Sequence, residues 1–251
     1  MTRERDEAAA IDRLHGELLA AGEQPGRLRE VLARLDPDEQ VVLGVLRRAV
    51  PTKLLELLGA TPPWSDRLRV MARVVLHPRV PRALALRLVP GLYWRDLAEV
   101  AAAPYVAAGV RVRAEASLKE LLRDMRTGDR VGLAKVATPS VLPGLLADSE
   151  ARVVEGALIN SRLREEDLVV ALRQADVRPA LMHAVAASPR WSDRYQVRLA
   201  LVLQPRTPLG IALAQVSSLV RRDLVRVAES PGLPPLVQAA AGEVLERLRE
   251  G

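Results

Sequence analysis

The chain repeats itself. Residues 61–122 align with residues 188–249 at a constant offset of 127 and without a gap, and about 25 of the 62 aligned pairs are identical. Trp64-Ser65-Asp66-Arg67 returns as Trp191-Ser192-Asp193-Arg194. His77-Pro78-Arg79-Val80-Pro81 returns as Gln204-Pro205-Arg206-Thr207-Pro208, and Arg95-Asp96-Leu97 as Arg222-Asp223-Leu224. A duplication of this length constrains the fold before anything else does, because each copy must build the same unit and bury its apolar face against a neighbour.

The punctuation between apolar residues says what that unit is. Residues 4–21 carry Ala8, Ile11, Leu14, Leu18 and Leu19 at helical spacing before Gly22. A short helix follows over about 28–35. Asp36 is the expected N-cap of the next, with Pro37 at its first position and Val41, Val42, Val45 and Leu46 inside it. Pro51 opens a helix that Gly59 closes. In the first copy Ser65 is the expected cap of a helix bearing Leu68, Val70, Val74 and Val75, with Asp66 in its first turn. His77-Pro78 ends that helix, since a residue before proline is pushed out of the α region. Pro81 starts the next helix, Pro90-Gly91 breaks it, and residues 93–102 form another. A longer helix is expected from Pro104 to about Arg126. Thr127-Gly128-Asp129 is a break, and helices follow over 129–137, 140–147, 149–159, 164–173 and 177–187. Ser192 is then expected to open the second copy. Nothing alternates with a period of two, so no sheet is predicted.

Pair starts recur about every 25–28 residues, short for helical repeats. The predicted fold is therefore all-α: an α-solenoid, a right-handed stack of short antiparallel helix pairs bent into an arc. Residues 1–35 read as N-terminal capping helices, 36–126 as a first helical-repeat segment and 127–251 as a second. Residues 104–137 read as the joint within one continuous solenoid, being too hydrophobic and too poor in Ser and Gly for a linker.

Composition narrows function by exclusion. The chain has no Cys, so disulfides, thiolate zinc sites and cysteine nucleophiles are out. The N-terminus is charged and leads into no apolar run, and no apolar stretch is long enough to span a bilayer, so a cytoplasmic protein without a membrane partner is expected. About half of the residues are hydrophobic, but with no Phe, three Trp and three Tyr they offer few platforms for stacking a base or ring. The net charge of +6 is nearly all arginine; only Lys53, Lys119 and Lys135 are lysines. Arg, Ala, Val, Leu, Pro and Gly rising together also fits a GC-rich coding sequence, which weakens the charge as a sign of nucleic acid.

The short proline-marked units, with turns such as Asn160-Ser161-Arg162 and Ala187-Ser188-Pro189, resemble the leucine-rich repeat variant and HEAT-like helical repeats of bacterial proteins. The run from Arg190 to Pro208 is similar to a group of uncharacterised proteins of that kind. The resemblance covers about residues 37–249 and rests on repeat positions, so it implies architecture and not activity. Some leucine-rich repeat variant proteins carry an iron–sulfur module, which a chain without Cys cannot hold by thiolates.

Candidate binding residues come from the repeated boxes. Trp64 and Trp191, with Arg67 and Arg194, form either a paired recognition surface or the seat of each unit on its neighbour; retention in both copies fits the seat. Arg95 and Arg222 are expected to reach an acid or carbonyl of the next unit, since adjacent side chains on a helix do not face each other. Arg79, Arg206 and the looser third copy Arg162 lie in like turns, where they could grip phosphates or an acidic partner, or bond helix C-terminal carbonyls. His15, His77 and His183 lack companions at metal-ligand spacing, so no metal or cofactor is expected. There is no Gly-rich phosphate loop, no Gly-x-Ser-x-Gly and no His-Glu-x-x-His, so no catalytic residue is assigned. The expected function is a non-enzymatic scaffold or adaptor that binds a protein, one of acidic character by charge; nucleic-acid binding through the arginine-lined turns is the alternative.

Overall fold

Short helices leave most of their backbone ends unsatisfied and are marginal alone, so this chain must be held together by packing. The computed structural model describes residues 2–250, and among these every regular element is a helix. The chain divides into two compact units, Met1–Arg123 and Asp124–Gly251.

The first unit runs α1 (Thr2–Ala21), α2 (Pro25–Leu35), α3 (Glu39–Val45), α4 (Thr52–Leu58), α5 (Leu68–Val75), α6 (Arg82–Leu88), α7 (Trp94–Ala102) and α8 (Ala108–Leu121), with a 3-10 turn at Val89–Gly91. Its helices pack on the next and on the next but one: α1 on α2 and α3, α2 on α4, α3 on α5, α6 on α8, α7 on α8. The second unit runs α9 (Thr127–Val136), α10 (Leu142–Leu146), α11 (Ala151–Leu158), α12 (Glu165–Leu172), α13 (Pro179–Ala187), α14 (Pro189–Ser192), α15 (Tyr195–Leu203), α16 (Leu209–Val216), α17 (Arg221–Ala228) and α18 (Pro235–Glu250). There α9 packs on α11 and α11 on α13, α10 on α12 and α12 on α15, α15 on α17, and α16 on α18.

The duplication is visible helix by helix. Adding 127 carries α5 onto α15, α6 onto α16, α7 onto α17 and α8 onto α18 within a residue or two at each end. Both cores are aliphatic. In the second copy Leu199, Val202, Val216, Leu224, Val227 and Val237 form one buried cluster. Burying a side chain of this size contributes about 1.5–3 kcal/mol, which lets helices of seven to nine residues persist around only three buried tryptophans, Trp64, Trp94 and Trp191.

Several expected helix starts move, and for one reason: a turn that already has helical hydrogen bonds shifts the true start downstream. Ser65 and Ser192 do not cap. In the second copy Pro189 opens α14, Trp191 and Ser192 donate to the carbonyl of Ser188, and α15 starts at Tyr195 behind Arg194. In the first, Trp64 and Ser65 donate in the same way to Thr61, and α5 starts at Leu68 behind Arg67. Asp36 does not cap α3 either. It closes α2 in the left-handed region at φ 39°, which Asp tolerates, and Asp38 caps α3 by accepting from Val41 N–H at 2.8 Å. The long helix expected from Pro104 begins four residues later, because Ala103–Val106 closes a turn of its own, and ends at Leu121.

Candidate functional site

Trp64 and Trp191 are both buried, at 9% and 1% exposure. Trp191 donates its indole N–H to the carbonyl of Leu158 at 2.8 Å, at the end of α11. The guanidinium of Arg67 lies 5.4 Å from the Trp64 ring centroid, and that of Arg194 lies 5.4 Å from the Trp191 centroid. Each then continues to the first residue of an earlier helix: Arg67 to Glu39 at 3.1 Å and Arg194 to Glu165 at 2.9 Å. In both copies a tryptophan is roofed by an arginine tied to the acidic start of an earlier helix, where the helix dipole already favours a carboxylate. These four residues seat one helix on another.

The turn arginines follow a stricter rule. Arg79 Nη1 donates to the Val50 carbonyl at 3.1 Å, Arg162 Nη1 to Val136 at 2.8 Å and Arg206 Nη1 to Ala175 at 3.0 Å. The acceptors stand 26–31 residues earlier in the chain: Val136 ends α9, Ala175 lies just beyond α12, and Val50 lies in the connection from α3 to α4. The residue two places before each arginine completes the contact. His77 donates from Nε2 to Arg48 O at 3.0 Å while its Nδ1 accepts from Arg79 N–H at 3.1 Å. Asn160 donates to Ala134 O at 2.8 Å and Ala137 O at 3.1 Å, and accepts from Arg162 N–H at 2.8 Å. Gln204 donates to Leu172 O at 2.8 Å and Gln174 O at 3.1 Å, and accepts from Arg206 N–H at 3.2 Å. The last carbonyls of a helix have no partner in the helix itself. A donor–acceptor side chain followed two residues later by arginine therefore latches the end of α5 to that of α3, α11 to α9, and α15 to α12.

The Arg-Asp boxes go a different way. Among the described residues Arg95 reaches no acid or carbonyl of another helix and stacks over its neighbour Trp94 at 5.2 Å. Arg222 is almost wholly exposed, with Nε 3.6 Å from the adjacent Asp223. The expected reach to an acid of another helix therefore belongs to Arg67 and Arg194, each within its own unit. The two acids differ as well. Asp223 is buried and accepts from the Tyr195 hydroxyl, and burial together with that bond raises the Tyr195 pKa. Asp96 has Leu68 at the position of Tyr195; burial and then the charge of Glu99 push its carboxyl above the ordinary aspartate range. At the N-terminus Glu23 accepts from the backbone N–H groups of Lys53 and Thr52 at 2.8 and 2.9 Å, which holds its carboxyl below the ordinary glutamate range, with Arg79 at 3.4 Å adding to it.

Two features escaped the sequence. The second unit has an apolar cleft of about 220 Å³ at the α12–α13 turn, between Leu146, Val170, Ala171, Val177 and Leu181, with Asp176 and Arg178 also lining it. Val170 is 58% exposed there. In the first unit Arg82 lies against Gly109, a pair that the second copy replaces by Leu209 and Leu236. The change of charge between copies was the available signal for the second feature; none marked the first. Among the described residues no three His, Asp or Glu side chains come together as a metal site, and no helix is long and apolar enough to cross a membrane. Compared with protein-family models, curated proteins and solved structures, the chain matches none.

Proposed function

We propose that the chain is a non-enzymatic, cytoplasmic helical-repeat scaffold that binds a protein partner. Each unit reads as a stretch of α-solenoid in the HEAT-like manner, short antiparallel helix pairs in two rows. The next-but-one packing of the helices and the latches between helix ends support this reading. The apolar cleft beside Val170 carries the functional half. It is a concave apolar surface with charged residues at its rim, the arrangement through which proteins take up a side chain of another protein. The repeated arginines support it indirectly. Arg67, Arg79, Arg162, Arg194 and Arg206 each spend a guanidinium nitrogen on the fold itself.

A photo-crosslinking residue placed at Val170 tests this. The expected result is a discrete protein adduct that excess unlabelled wild-type chain suppresses, that a Val170→Glu competitor does not suppress, and that the comparably exposed Ile159 position does not give. The reading is overturned if Val170 gives no adduct while the chain binds generic duplex or single-stranded nucleic acid with an affinity that falls steeply with salt, the mark of phosphate contacts.

A further inference from the structure

We infer that the α6–α8 face of the first unit is a second docking surface, one for an acidic protein segment that carries an apolar side chain. This rests on the protein-binding reading above and names a different surface and a partner chemistry. Arg82 opens α6, and its Nη2 lies 2.8 Å from the place a Cβ on Gly109 of α8 would take. The guanidinium occupies that spot because residue 109 has no side chain. Arg113 stands four residues on from Gly109 and so shares its face of α8, with Val112 beside it at 63% exposure. Tyr105, 58% exposed, lies in the turn that leads into the helix. The first turns of α6 and α8 hold no carboxylate; Glu115 is the first acid on α8. Unlike Arg67 and Arg194, neither Arg82 nor Arg113 is ion-paired among the described residues.

The second copy serves as the control. The same positions on α16, α18 and their turn hold Leu209, Leu236, Ala239, Ala240 and Gly232. The same frame therefore packs without the arginines, the tyrosine or the glycine, and what the first copy adds is not needed for stacking. Two guanidiniums and an exposed valine in the same stretch of surface suit a segment that carries carboxylates and an aliphatic side chain, since each arginine fork matches one carboxylate. A nucleic acid would call on a longer row of cations, because its affinity is built from many phosphate contacts.

The test transplants the second copy into the first: Arg82→Leu with Gly109→Leu and Arg113→Ala in the full chain. The probe is a fluorescein-labelled peptide of alternating Glu and Leu, read by anisotropy, with a Lys–Leu peptide and a single-stranded oligonucleotide as comparators. The wild-type chain is expected to bind the Glu–Leu peptide with a salt-weakened affinity, and the transplant to weaken it about tenfold or more without loss of helix content. The single change Arg113→Glu covers a transplant that does not fold; it is expected to shift preference toward the Lys–Leu peptide. Equal binding by wild type and variants, no binding of the acidic peptide, or tighter binding of the oligonucleotide each overturns the inference. The Val170 adduct, formed on the other unit, reports separately on whether the chain binds protein at all.

Discussion

Asn160→Ala should be among the most damaging single changes in the second unit, although it removes no apolar contact of any size. Asn160 is 1% exposed and makes three hydrogen bonds: two donated to Ala134 and Ala137 at the end of α9, and one accepted from Arg162 N–H. Truncation leaves both carbonyls without those donors, at about 1 kcal/mol each or more for groups out of contact with water. The Arg162 amide sits on an exposed residue and recovers part of its bond from solvent, so it adds less. The sum is about 2–3 kcal/mol, against about 0.5 kcal/mol or less for an ordinary surface change. Urea unfolding followed by helical circular dichroism measures the loss, and hydrogen exchange at Arg162 reports whether the latch opens locally. Asn160→Asp sharpens the test. An ionised carboxylate faces two carbonyls with no proton to give, so its folded-state pKa is raised; the penalty is full at neutral pH and eases as pH falls and the group protonates. A loss under about 0.5 kcal/mol for the alanine, or an aspartate variant as stable as wild type at pH 7, would refute the latch.

Three further outcomes follow from the differences between equivalent residues and from the long-range cap. Tyr195→Phe is expected to cost about 1–2 kcal/mol in thermal or urea unfolding, because it strips buried Asp223 of a donor. Asp96→Asn, at the matching position, should leave stability at pH 7 equal or higher, since burial and Glu99 already disfavour its charge; a loss there as large as for Tyr195→Phe would show that the two boxes are equivalent after all. Glu23→Gln removes the ionised cap on α4, whose lowered pKa means that its contribution is complete above the ordinary glutamate range and fades as pH falls through it. Wild type and variant should therefore differ in melting temperature at neutral pH and converge in acid, and a gap that stays constant down to acid pH would sink the assignment.

What the sequence made legible was whatever proline, glycine and helical spacing mark. The helices over 129–187 appear within a few residues of their expected ends, with proline marking the starts of α10 and α13; Thr127-Gly128-Asp129, expected as a break, is instead the first turn of α9. Caps were harder to see. Ser65 and Ser192 are ideal cap types, yet the chain before them, Thr61-Pro62-Pro63 and Ser188-Pro189-Arg190, had already begun to coil. A cap is defined by which N–H groups are free, and residue type alone does not say that. The cap of α4 shows the same limit, since its acceptor is Glu23, 29 residues upstream of Thr52. The role of His77 was hidden because the residue varies to Gln204 in the second copy. The variation keeps the essential chemistry: each side chain donates to a carbonyl of the earlier segment while accepting from the arginine N–H two residues on, histidine with one donated bond and the two amides with two.

That equivalence decides how the two copies should be compared. Most positions that keep their chemistry across the duplication hold the stack together: the buried tryptophans, the roofing arginines, the latch residues and their arginines; Arg95 and Arg222 are kept without doing so. Their retention is accounted for by packing alone in the positions that hold the stack, which is why a row of repeated arginines is a poor guide to a site. Positions whose chemistry changes while the helices stay in place are the ones that packing leaves undetermined. Arg82 with Gly109 against Leu209 with Leu236 is the sharpest of these, because charge and volume change together at two residues that touch. A single drifted residue needs no explanation. A matched pair, in which one helix loses its side chain at the spot where the other lays a guanidinium, points to selection on what the surface meets.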